Sequence, residues 1–308
     1  MASRISSRAR VAAIPALLAA GAVAALPAGL RPALAQSSPE APSQLADLGL
    51  PELNINLTAD AIEGVPDSLD AGRYLLTIGG EAGPDDFALA TIIMQLPEGV
   101  TVDDAVAQIG DGSEGLPEFF YEAVFAGGKS ALVAAGETSA SSVIDLTPGP
   151  GQWVVLDTTF ARPPVPFTVN GEMPSDLPEP ESNATILMGE MYFELSEGTL
   201  VAGENLVKIV NEGAQPHFVE VMGVPEGTTN ANITAMIDSQ MGATPSADPL
   251  DLSQAVPVAY IGEQSTGVTV WAPLTLEAGT YAVLCWITDP ETGMPHAMMG
   301  MHDVYVVE

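Results

Sequence analysis

The feature that most constrains this chain is that it is written twice. Pro97-Glu98-Gly99 followed by Thr101 recurs as Pro225-Glu226-Gly227 followed by Thr229, an offset of 128 (225 − 97). The same offset (285 − 157) aligns Gly151-Gln152-Trp153-Val154-Val155-Leu156-Asp157 with Gly279-Thr280-Tyr281-Ala282-Val283-Leu284-Cys285. Upstream, Ala71-Gly72-Arg73-Tyr74-Leu75-Leu76-Thr77-Ile78 matches Ala202-Gly203-Glu204-Asn205-Leu206-Val207-Lys208-Ile209. Three matches in one order read as a tandem duplication. The expected layout is a first domain over 45–170, a Pro- and acid-rich linker over 171–184, and a second domain over 185–308.

Within each unit the apolar segments are short, rich in Val, Ile, Leu and Thr, and bounded by Gly, Pro, Asn or Asp. Asn205 to Val210, His217 to Met222, Val268 to Ala272, Tyr281 to Trp286 and Val304 to Val307 are examples. That pattern predicts an all-β fold of antiparallel sandwiches. One helix per unit is expected after the Pro-Glu-Gly turn, Val102 to Ile109 and Asn230 to Met241, each in a connection between strands.

The chain opens with Arg4, Arg8 and Arg10, an apolar run from about Val11 to Leu30, and Ala33-Leu34-Ala35. This predicts a secretory signal over 1–35, with a periplasmic or extracellular destination and no stable membrane insertion after cleavage. Removal of the signal leaves Arg73, Lys129, Arg162 and Lys208 against 40 acidic residues, a balance of −36 (4 − 40). Such a surface repels nucleic acid and anionic lipid, and points to a basic partner or a cation. A plain solubility role for the charge is the alternative.

The single cysteine, Cys285, lies in a chain addressed to a disulfide-forming compartment, so it must be buried, intermolecular or bound to something. His217, His296 and His302, the only histidines, share its unit. By the alignment Cys285 corresponds to Asp157 and His217 to Leu89. The interval from Asp157 to Phe167 is ten residues shorter than that from Cys285 to Tyr305, and the missing piece carries His296 and Met301. One complete ligand set per chain is therefore expected.

These residues resemble the cupredoxins, the plastocyanin-like blue copper proteins. Val210-Asn211-Glu212-Gly213-Ala214-Gln215-Pro216-His217 looks like the loop delivering their first His ligand. Gly279-Thr280-Tyr281 to Cys285 looks like their penultimate strand, and His296 to Met301 before Val304-Tyr305-Val306-Val307 like their second His, axial Met and closing strand. The resemblance implies two tandem cupredoxin-like Greek-key sandwiches, the first degenerate. It also implies one copper per chain held by His217, Cys285, His296 and Met301, near the surface on the closing loop. A thiolate, two imidazoles and a weak thioether suit both copper oxidation states.

The ten residues from Trp286 to Pro295 are a longer spacer than small blue copper proteins have, and Asp289-Pro290-Glu291-Thr292-Gly293 reads as a tight turn within it. Met298 and Met299 compete with Met301 for the axial place. The reading is electron transfer, with a basic redox protein as partner. Two alternatives stand beside it. One is Cu(I) storage or delivery through Met294, His296, Met298, Met299, Met301 and His302; the other is a metal-free binding module with a buried Cys285. No Gly-x-Ser-x-Gly, His-Glu-x-x-His or phosphate-binding Gly loop points to an enzyme, and three His residues are too few for a multicopper oxidase.

Overall fold

The structure is a computed structural model that describes residues 45, 47–83, 86–109 and 116–308. The expected signal, 1–35, lies outside the described residues. The first half carries β1 (Glu52–Leu57), β2 (Ile62–Glu63), β3 (Ser68–Asp70), β4 (Gly72–Gly80), β5 (Thr91–Gln95), β6 (Val124–Phe125), β7 (Ser139–Leu146), β8 (Trp153–Asp157) and β9 (Val165–Asn170). The second carries β10 (Ala184–Gly189), β11 (Tyr192–Gly198), β12 (Gly203–Asn211), β13 (His217–Val224), β14 (Val256–Gln264), β15 (Thr269–Leu276), β16 (Gly279–Leu284) and β17 (His302–Val307). Residues 171–183 contain no helix or strand.

The fold is mostly β, and its two halves repeat one pattern. β14-β13-β16-β17 form a four-stranded sheet, and β6-β5-β8-β9 run in the same order within a five-stranded sheet completed by β3. The registers repeat as well. Thr91 faces Asp157 across β5 and β8; adding 128 to both gives Val219 and Cys285, the register that Glu220↔Leu284 continues across β13 and β16. Gly72 faces Leu146 as Gly203 faces Leu276.

The remaining strands form one sheet running through both halves, in the order β11-β10-β12-β15-β7-β4-β1-β2. Two separate sandwiches were expected. Instead β15 and β7, the edge strands of the two halves, pair with each other at Trp271↔Val143 and so remove two open edges. Most pairings are antiparallel, as expected, with parallel exceptions. β1 runs parallel to β4 and β10 parallel to β12, because each pair is joined by a crossover past an intervening strand and not by a hairpin.

The core follows from side-chain alternation. In β1 Leu53, Ile55 and Leu57 point inward and Glu52, Asn54 and Asn56 outward. β8 is buried on both faces, because Phe119 and Phe120 of the short helix Glu118–Glu122 cover the face of Val154 and Leu156 turned away from the sandwich core. In the second half the helix Asn230–Gln240 does the same, Ile233, Met236 and Ile237 packing on Met222, Ala282 and Leu284. It ends one residue before the expected Met241. The helix Val102–Ile109 starts as expected, the Thr101 hydroxyl and the Asp104 carboxylate exchanging hydrogen bonds with each other's amides. The Glu118–Glu122 helix was not anticipated, since five residues are too few to show a period.

Candidate metal centre

His217 is the first residue of β13, and Cys285 follows the last residue of β16. Because these strands are neighbours, both side chains emerge at one end of the second sandwich. The spacer from Trp286 to Pro295 then folds back on itself. Thr288 and Pro295 form a bridge, Asp289 N donates to Met294 O (2.8 Å), and His296 N donates to Ile287 O (2.8 Å). The expected tight turn is present: the Asp289 carboxylate accepts from the Thr292 hydroxyl (2.7 Å) and amide (2.7 Å), and these bonds, the hydroxyl first, hold it down at about 2. His296 opens a 3-10 turn, and the chain is pinned beside Cys285 by Ala297 N to Cys285 O (2.7 Å), Met301 N to His296 O (2.9 Å) and Cys285 N to Met301 O (3.2 Å). A long spacer thus returns its histidine without displacing it.

Three donor atoms converge. His217 Nδ1 lies 3.0 Å from His296 Nδ1, and Cys285 Sγ lies 4.0 Å and 3.6 Å from those two nitrogens. All ligand atoms of the trio fall within 4.8 Å of one another. His217, Cys285, His296 and Met301 are each 0% exposed. Met301 shares the interior cluster with Cys285 and completes a His-Cys-His-Met group. Among the described residues no other trio of His, Cys, Asp or Glu converges in this way.

The surroundings favour neutral rings and leave the thiol without a counter-charge. Burial, and for His217 the adjacent His296, pushes both imidazoles down to about 4, so both are neutral at pH 7 with a lone pair available. Burial pushes the Cys285 thiol up to about 12, against hydrogen bonds from the backbone of Phe218 and Ile287. A sulfur in that position ionises when a cation supplies the missing charge. Two imidazole nitrogens, one thiolate and one thioether are the donors copper takes, and the group fits a single copper site.

The structure does not bring together the six residues of the alternative soft-metal cluster. Met298 packs against the helix-covered outer face, the Met299 sulfur accepts from the Thr292 hydroxyl (3.7 Å), and His302 Nε2 meets the Thr234 hydroxyl (3.2 Å). Of these methionines, Met301 is the one buried in the interior cluster that holds Cys285. His296 itself is fully buried, covered by Gln215, whose Oε1 lies 3.1 Å from His296 Nε2, while residues 291–294 of the spacer beside it are exposed.

Sequence reasoning missed the partners around the ligands. Asn211 is fully buried and staples the His217 loop to β14, its side chain donating to Gln264 O (2.7 Å) and Gln215 O (2.8 Å) and accepting from Gly213 N (2.8 Å). Glu190, on the β10–β11 turn, has an oxygen 3.6 Å from His217 Nε2. Tyr121, from the first half, donates its hydroxyl to Thr288 O (2.6 Å) on the spacer. Asn211 and Gln215 sit in the quoted loop; Glu190 and Tyr121 gave no signal in the sequence.

The equivalent end of the first sandwich holds no such group. Asp157, the counterpart of Cys285, is 2% exposed and lies 3.0 Å from Arg162, whose guanidinium also reaches Asp86 (3.5 Å) and donates to Thr58 O (2.5 Å).

Solved structures that match the chain include cupredoxins. They include a dithionite-reduced auracyanin of the photosynthetic bacterium Roseiflexus castenholzii, at 24% identity over 40% of this chain and 94% of that one, TM-score 0.27. Auracyanin A, a blue copper protein of Chloroflexus aurantiacus, matches at 26% identity over 40% and 98%, TM-score 0.26. A multi-copper oxidase of Pediococcus acidilactici matches at 11% identity over 86% and 62%, TM-score 0.23. No family model and no curated protein matches the chain. Superpositions this loose assign nothing by themselves, and the function rests on the site's own donors. Among the described residues no helix is long and apolar enough to cross a membrane.

Proposed function

We propose that this is an exported electron carrier with one type 1-like copper, held by His217 Nδ1, Cys285 Sγ and His296 Nδ1 with Met301 as the weak fourth ligand. The observation that carries it is the convergence of two neutral imidazole nitrogens and a buried sulfur within 4.8 Å, with no cationic side chain among the trio. Copper in such a set supplies a one-electron couple. The protein's part is to hold the donors on two strands and a zipped hairpin, exclude water through complete burial, and keep the imidazoles uncharged. The separation of Met298, Met299 and His302 from the trio disfavours a Cu(I) storage cluster. Because His217, Cys285, His296 and Met301 are all fully buried, an electron carrier is a better reading than a catalyst.

The repeated strand order and registers support descent of the two halves by duplication, with the ligand set confined to the second. The −36 balance supports a basic redox partner, whose reduction rate should fall steeply with salt as a roughly 10 Å screening length sets in near 0.1 M. The deciding experiment is copper titration of the protein from residue 36 onward, followed by visible absorption and elemental analysis. One copper per chain with an intense visible band is expected. No band, or two coppers with the second surviving deletion of 45–170, overturns the reading.

A further inference from the structure

The two imidazoles have lost their outer faces to different partners, and the difference bears on the metal. With Nδ1 of both rings given to a metal ion, each ring carries its proton on Nε2, and each Nε2–H then needs an acceptor. For His296 it is Gln215 Oε1 at 3.1 Å, a neutral amide. His217 Nε2 is buried and has no hydrogen-bond partner, yet Glu190 Oε1 stands 3.6 Å away.

That carboxylate is held in place. The amides of Ala214 and Gln215 both donate to Glu190 Oε1, the second at 3.0 Å, and Gln215 Nε2 reaches Oε2 at 3.4 Å. Gly213 keeps the gap open, because a Cβ there would sit 2.6 Å from Glu190 Oε1 and 2.7 Å from His217 Nε2. Glu190 comes from the β10–β11 turn, which bears no ligand, so the interaction ties a third element to the site.

We propose that Glu190 is a positioning residue for the metal centre: its carboxylate takes the Nε2 proton of His217, fixes Nδ1 as the metal-facing nitrogen, and favours the more highly charged oxidation state. This rests on the copper reading above. A carboxylate behind a ligand imidazole makes the ring a stronger donor, and its charge stabilises Cu(II) more than Cu(I). Gln215, uncharged, orients His296 without that bias.

The test is Glu190→Gln, which keeps one oxygen facing the two amides and Nε2–H and removes the charge, giving up only the outer 3.4 Å contact from Gln215 Nε2. Cu(II) affinity is expected to fall about tenfold, the low end for a partner behind a ligand, because 42% of the Glu190 side chain is solvent-exposed. Cu(I) affinity should hold, so the potential rises by about 59 mV, the one-electron equivalent of tenfold. Gly213→Ala, which pushes the carboxylate off the ring, should shift the potential the same way. Glu226→Gln, an exposed acid on the Pro225 turn, should leave it in place. Equal losses for Cu(I) and Cu(II), or a potential matching that of the Glu226 variant, overturn the proposal. A wild-type chain that takes up no copper instead overturns the reading beneath it.

Discussion

The two halves meet the same problem at the same end of their sandwiches and solve it with different cations. In each, the strand that ends in Asp157 or just before Cys285 lies beside the strand that starts after Leu89 or at His217, and a closing segment arrives from the chain's next turn. The first half buries Asp157 there beside the half-buried Asp86 and brings its own cation, since Arg162 lies five residues beyond Asp157 and reaches both acids. The second half buries a sulfur and two rings, and a segment ten residues longer brings His296 and Met301 in place of an arginine. A buried charge needs a counter-charge. In the first half the chain supplies the cation itself; in the second the donors stay neutral until a metal ion ionises the thiol.

The largest effect that separates the halves is on metal. Cys285→Ser should abolish the visible copper band and tight Cu(II) binding, because a hydroxyl does not ionise there as a thiolate does. Arg162→Met should leave both untouched. Copper titration of the two variants side by side checks this, and a band that survives Cys285→Ser breaks the contrast.

The next effect runs the other way, on stability. Arg162→Met strands Asp157, 2% exposed, and Asp86 without their cation, and breaking a buried pair from one side costs roughly 3–5 kcal/mol. Denaturant unfolding of the metal-free protein should show that loss. The double variant Arg162→Met with Asp157→Leu should recover part of it, since the uncompensated charge goes too.

Acids buried without a cation make a third contrast. Glu263, 2% exposed, accepts only the Tyr260 hydroxyl (3.1 Å), and desolvation pushes its carboxyl up to about 7; Glu220, bonded to the Trp286 indole (2.9 Å), behaves alike. A carboxyl whose pKa is higher folded than unfolded binds more protons in the native state between the two values. Stability is therefore full below about 4.5, falls as pH rises to about 7, and is flat beyond, a change on the order of 3 kcal/mol for Glu263 at about 1.4 kcal/mol per unit. Thermal unfolding across that window should show the slope, and Glu263→Gln should reduce it to the share that Glu220 contributes.

Much of this was legible in the sequence. The strands come from β-rich runs between turn residues, the 128 offset reappears as strand register, and the order His, Cys, His, Met needs only two neighbouring strands and a closing loop to become a cluster. The even apolar composition of β8 and β16 hid a second, helix-covered face, because alternation vanishes when both sides are buried. Glu190 and Arg162 were invisible for another reason: one exposed-looking acid on a turn and one Arg after a strand have no pattern of their own, and gain a role only from what the fold sets opposite them. The shared eight-stranded sheet was equally hidden, since pairing of two edge strands leaves no periodic mark.

The smallest effect tests whether the halves work together. The segment 126–131 of the first half lies along the outer edge of β14, with bridges Ala126↔Gln264 and Lys129↔Ile261, and Gln264 in turn pairs with His217. Tyr121 reaches further, to Thr288 on the spacer that carries His296. Burial and the nearby Asp289 hold its phenol up at about 12, so it stays a donor at every physiological pH. Tyr121→Phe removes one hydrogen bond, about 1 kcal/mol of stability. If the metal-free half braces the ligand hairpin, the loss falls on the state in which the hairpin is closed, and copper should pass to a chelator about fivefold faster, the rate equivalent of that energy. A variant that loses the stability but releases copper at the wild-type rate would show that the first half is attached to the site without supporting it.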